Sequence, residues 1–169
     1  MDAYLGSQAT AVDHRWREAA SIYSAAVRPA FDLLLGVAAQ LSAVLIASSA
    51  GSKTADVAET ILQRARASHG EALETLRSIH LTVPSRHAHG HLERAATLIG
   101  AALQRARQSN ADRAAHIDEI LSPLRLGWNE LNSASDALTG FCVLNLSQCC
   151  GAHEKRARVP RNYQSTGGG

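Results

Sequence analysis

Aromatic residues make up only 4% of this sequence, and its three cysteines all lie near the C-terminus. A core short of rings must be filled by small and aliphatic side chains. An odd, clustered set of thiols argues against a disulfide framework and suits a reduced compartment. Strong charge of either sign is missing as well: a formal net charge of +2 gives no electrostatic case for nucleic acid or for acidic substrates. Reactive signatures are absent too. There is no His-Glu-x-x-His, no Cys-x-x-Cys-His and no Glu three residues before a His, so zinc-protease, haem-attachment and di-iron bundle chemistry lack their ligand sets. Gly51-Ser52-Lys53-Thr54 echoes the end of a phosphate loop, but it lacks the leading glycine and follows a helical pattern rather than a strand. No serine has an elbow context, and Glu71 and Glu74 fall on a solvated helix face.

What the chain has is alanine, leucine and helical period. Ala loses no side-chain entropy in a helix and lets neighbouring helices approach closely. Ala58, Leu62, Ala65, His69, Ala72, Leu76 and Ile79 recur at alternating spacings of four and three, which keeps one helix face apolar. Val12, Trp16, Ala19, Tyr23 and Ala26 form an earlier stripe, continued beyond Pro29 by Leu34, Val37, Leu41, Val44 and Leu45. A third comprises Ala88, Leu92, Ala95, Ile99, Ala102 and Ala106; a fourth runs through Leu124, Trp128, Leu131, Ser135 and Leu138 to Cys142, Asn145 and Cys149. Turn signals at Gly51–Thr54, Thr82–Ser85 and Ser109–Asn110 divide these into helices over roughly 9–50, 54–81, 86–109 and 110–149, with Ser85 placed to cap the third. Short connections favour antiparallel neighbours. The expected fold is all-α: an antiparallel up-down bundle of four main helices, the first and fourth kinked at Pro29 and Pro123, where proline removes a backbone donor and crowds the preceding turn. One domain is expected at this length. Residues 1–8 read as a flexible N-terminus, 9–150 as the bundle, and 151–169 as a basic, Gly-ended disordered tail.

Chemistry has three candidate places. Leu62-Gln63-Arg64-Ala65-Arg66 nearly repeats as Leu103-Gln104-Arg105-Ala106-Arg107. In a hairpin about the Val83-Pro84 turn both copies fall at the far end. There Arg64, Arg66, Arg105 and Arg107, with Lys53 and Arg113, form a candidate surface for an anion or an acidic partner. A solvated face paired with Asp112 and Asp118 accounts for the same charges. At the other end His80, His87 and His91 are a candidate site for a divalent transition metal, His87 and His91 standing one helical turn apart. The plainer account is a polar turn that is rich in histidine. His69, inside an apolar stripe, is either a hydrogen-bonded core residue or a ligand or proton-linked switch. Cys142 and Cys149 stand about 10 Å apart along a helix axis, too far to share a metal; Cys149 and His153 are one turn apart.

With no reactive centre in view, long small-residue seams point to a non-enzymatic helical interaction or assembly module that self-associates. The Trp16/Tyr23 face and the ridge Ala39, Ala43, Ala47 are its candidate surfaces. The competing reading is a small-ligand or metal-binding sensor bundle using His69 or the His80/His87/His91 end. A third is membrane association. Leu33–Ala50 is apolar apart from Gln40, Ser42, Ser48 and Ser49, near the lower length limit for a span. A central, nearly all-round buried helix meets the same pattern and is preferred. No basic cluster leads from the N-terminus into an apolar core, so no signal peptide is expected. The chain reads as cytoplasmic, with a membrane anchor through residues 33–50 as the alternative. The expected partner is protein, first of all a second copy. Nucleic acid is disfavoured because no aromatic residue interleaves the arginines, and no cofactor is expected beyond the metal of the sensor reading.

Overall fold

A computed structural model describes residues 3–50, 55–109, 112–138, 140–141 and 143. Its elements are α1 (Ala3–Ser49), α2 (Ala55–Ser78), a single 3-10 turn (Val83–Ser85), α3 (Arg86–Gln108) and α4 (Ile117–Ala137). Among the described residues there is no strand. The protein is all-α, and its helices touch as a bundle requires: α1 lies along α2, α3 along α4, α2 against α3, and α1 reaches both α3 and α4.

The periodic stripes become the core. Leu34, Val37, Leu41, Val44 and Leu45 of α1 are buried, as are Leu62, Ala65, Ala72 and Leu76 of α2 and the whole Ala88–Ala106 stripe of α3. Leu124, Leu131 and Leu138 are buried from the fourth stripe. Phe31, Leu34, Leu41, Leu62, Leu92, Ile99, Ile120 and Leu131 are the largest fully buried side chains. Each contributes about 1.5–3 kcal/mol by leaving water. Fully buried Ala30, Ala65, Ala95, Ala96 and Ala102 fill the space between them, which is how a core with few rings closes. The α1 segment is not buried all round, however. Asp32, Ala39, Ala43 and Ile46 face outward, so the Ala39/Ala43 ridge belongs to the surface. Within α1, Trp16–Ser49 is long and apolar enough to cross a membrane, with 44% of its most apolar window buried. A core helix and a membrane anchor both meet that test.

Neither internal proline ends its helix. Proline deprives the carbonyl four residues earlier of its donor. At Pro29 that carbonyl belongs to Ala25; both residues are exposed, and water can replace the missing bond. At Pro123 it belongs to Glu119, and Arg105 Nη1 of α3 donates to Glu119 O at 2.8 Å. A guanidinium from the neighbouring helix thus supplies the hydrogen bond that the proline removes.

Several boundaries differ from expectation. α2 ends at Ser78 rather than Leu81. Ser85 does not cap α3 with its side chain; its hydroxyl donates to Thr82 O at 2.9 Å and accepts from Thr82 N at 2.9 Å, closing the 3-10 turn instead. α4 is much shorter than 110–149. A turn over 113–116 precedes Ile117, and Leu138 is already extended, at φ −116° and ψ 129°. Gly140 then takes φ 79°, a left-handed conformation that glycine adopts without steric cost. This turn brings Gly140 O to within 2.6 Å of Arg28 Nη2. Phe141 meets Phe31 edge-on, with centroids 4.8 Å apart, beneath the Arg28 guanidinium at 3.9 Å. The chain after α4 is held against α1 instead of continuing as helix. The Gly51–Thr54 turn, Asn110, Cys142, Cys149, His153 and the 151–169 tail lie outside the described residues.

Candidate functional site

The richest polar cluster sits on the seam between the start of α3 and the end of α4. His91 Nδ1 lies 2.6 Å from Glu130 Oε2, and Arg94 Nε donates to the same oxygen at 3.0 Å. Two acceptors cannot face each other at 2.6 Å, so the proton is on His91 Nδ1 and is donated to the carboxylate. The Glu130 carboxyl is held below the usual carboxylate range, first by this bond from His91 and further by Arg94, against the opposing effect of burial. His87, one turn earlier, sets its ring nearly perpendicular to that of His91, with its Nε2 3.3 Å from His91 Nε2. His87 is exposed and His91 half-buried.

Beside this seam is a pair of which the stripes singled out Tyr23 and missed His89. His89 is buried, and Tyr23 Oη of α1 lies 3.1 Å from its Nδ1. Burial pushes the Tyr23 phenol up to about 12, with a further contribution from the Glu93 carboxylate. His89 Nε2 is 3.5 Å from Glu93 Oε1. The apolar face of α3 is wider than the stripe Ala88–Leu92–Ala95: a second row, His89, Leu92, Ala96, Ile99 and Leu103, is buried beside it. That second row was the available signal.

At the far end, α2 and α3 meet around His69. Its ring lies over Gly100, where an added Cβ would fall 2.8 Å from Cε1; only glycine leaves room for it. His69 Nε2 donates to Ala96 O at 2.8 Å. Above it is a groove of about 340 Å³ lined by Arg66, His69, Gly100, Leu103, Gln104 and Arg107. Arg66 and Arg107 are exposed, and two guanidinia with an amide are the donor set that a small anion uses. Arg64 is exposed outside the groove. The remaining arginines of this end have internal duties: Arg105 serves Glu119 O. Buried Arg113 donates from Nε to Ala106 O at 2.9 Å, satisfying a carbonyl in the last turn of α3, and its Nη2 is 3.5 Å from Glu59 Oε2. Lys53 lies outside the described residues.

His80 is not in the α3–α4 cluster. It lines a groove of about 480 Å³ between α1 and α2, with Ala19, Ile22, Tyr23 and Ile79 among its walls. Among the described residues no group of three or more His, Cys, Asp or Glu is arranged to hold a metal ion. No protein-family model, curated protein or solved structure matches the chain.

Proposed function

We propose that this protein is a non-enzymatic helical assembly module that self-associates through the N-terminal part of α1. The observation that carries this reading is that, among the described residues, α1 extends past the ends of the helices it packs against and Trp16 on its stripe is left exposed. Tyr23 is level with Ile79 at the end of α2 and with His89 at the start of α3. From Tyr23 the helix continues back to Ala3, a further rise of about 30 Å at 1.5 Å per residue. Trp16, on the same stripe as Tyr23, is 48% exposed, and Ile22 is 65% exposed beside the α1–α2 groove. A lone helix of this length is marginal in water, and its stability normally comes from covering an apolar face. A second copy supplies the same stripe in a two-fold arrangement, so each extension covers the other.

The bundle beneath it is, in this proposal, up-down and antiparallel. His69 beside Ala96, His91 and Arg94 beside Glu130, and Arg105 beside Glu119 are the registers that antiparallel neighbours produce. Kinks at Pro29 and Pro123 would let the long helices follow one another. α1 then acts as a core helix of a cytoplasmic protein, because its Leu34–Leu45 stripe is already covered by the other helices.

Light scattering on the full-length protein at tens of micromolar tests the assembly. The expected result is a dimer, converted to monomer by Trp16→Glu with Ile22→Glu while the helical circular dichroism is retained. A monomeric wild type, or a double variant that assembles unchanged, rules the proposal out.

A further inference from the structure

The α3–α4 seam has no part in that assembly, and its geometry has a use of its own. We propose that His87 and His91 bind a late first-row divalent transition metal through their Nε2 atoms, with Glu130 as the positioning residue that sets the tautomer of His91. The 2.6 Å contact commits the Nδ1 proton of His91 to Glu130 Oε2, which leaves the lone pair of the neutral ring on Nε2. Arg94 Nη2 also approaches Nδ1, at 2.9 Å, but with that nitrogen protonated the working bond of Arg94 is the one from Nε to Glu130. A carboxylate behind an imidazole, itself anchored by a second donor, is the arrangement that orients histidine ligands and raises their basicity.

The spacing of the pair is the second observation. Without metal, one Nε2–H is shared between the two rings across 3.3 Å. Two imidazole nitrogens, each about 2.0–2.1 Å from a tetrahedral ion, stand about 3.3–3.4 Å apart. A metal ion can therefore take the place of the shared proton, which moves to the exposed Nδ1 of His87, with little movement of either ring. The protein offers two ligands here, and water completes the shell. This makes the site weaker than a closed four-ligand centre, with copper(II) bound more tightly than nickel or zinc. His80 faces the α1–α2 groove and contributes nothing.

The test is titration of the full-length, metal-free protein, its cysteines alkylated, with copper(II) and separately with zinc chloride. Heat is the first readout, and the ¹⁵N resonances of the histidine rings are the second. One equivalent is expected, perturbing Nε2 of His87 and His91. His87→Ala removes an exposed ligand and should weaken binding at least about tenfold with the melting temperature unchanged. Glu130→Gln keeps both ligands and should weaken it about 10–100-fold. His80→Ala should leave it unaltered. The proposal fails if His87→Ala binds like wild type, if His80→Ala costs as much, or if the Nε2 resonances of His87 and His91 do not respond.

Discussion

Tyr23 and His89 show what a single buried polar pair requires. Tyr23 Oη and His89 Nδ1 pair with each other 66 residues apart in sequence, with the Glu93 carboxylate on the far side of the His89 ring. Removing one partner leaves the other buried and unpaired, which costs about 1–3 kcal/mol. Tyr23→Phe should therefore lower the unfolding free energy by about that amount in urea, and an unchanged midpoint would show that His89 finds another partner. The same burial governs ionisation. The neutral phenol is the form the fold favours, with its pKa raised to about 12 from the ordinary 10.0 of a tyrosine. The resulting stability is fully present below pH 10 and is lost as pH rises towards 12. Absorbance titration should show one of the three tyrosines ionising late, a phase absent from Tyr23→Phe.

Helices here are repaired across their boundaries. Pro123 would be expected to disrupt α4, yet the helix runs through it because Arg105 provides the missing donor to Glu119 O. This explanation makes a coupling prediction. Arg105→Ala should cost about 1 kcal/mol in the wild type, the worth of one hydrogen bond. In a Pro123→Ala background the backbone N–H of residue 123 takes over, and Arg105→Ala should cost almost nothing. A double-mutant cycle measured by denaturant unfolding reads the difference; equal costs in the two backgrounds would mean that the Arg105 contact is incidental. Arg113 does comparable work at the end of α3 through Ala106 O. Two arginines that looked like a binding surface are therefore parts of the helix ends, while Arg66 and Arg107 remain at the groove over His69. Nothing in the local spacing separates these two kinds of arginine, because the carbonyls they serve belong to other segments.

At the scale of the molecule, the first and last described segments are joined by Arg28. Its guanidinium donates to Gly140 O, 112 residues away, and covers the Phe141 ring. Arg28→Ala should lower stability by about 1–2 kcal/mol, combining a cation–π contact with one hydrogen bond. An unaltered urea midpoint would show that the chain after α4 is held by Phe31 and Phe141 alone. This closure also explains why α4 stops near Ala137 although its apolar period continues towards Cys149. The periodic pattern records that one face is apolar, but Gly140 and the fit of Phe141 against Phe31 turn the described chain after Leu138 back onto α1.

The helical class and most of the buried stripe positions followed from the sequence alone, whereas Phe31, Ala96, Leu103 and Ile120 are buried outside those stripes. The reason is that spacing, alanine content and turn residues act within a few residues, and a helix face is a local property. Only the tertiary structure decided that His91 meets Glu130, that Tyr23 meets His89, and that Arg105 serves the carbonyl freed by Pro123. Those partners lie 39, 66 and 14 residues apart, and each pairing exists because two helix surfaces lie at a particular register. Helix registers are set by the fit of Ala and Leu side chains from several elements at once, which no stretch of the chain encodes by itself.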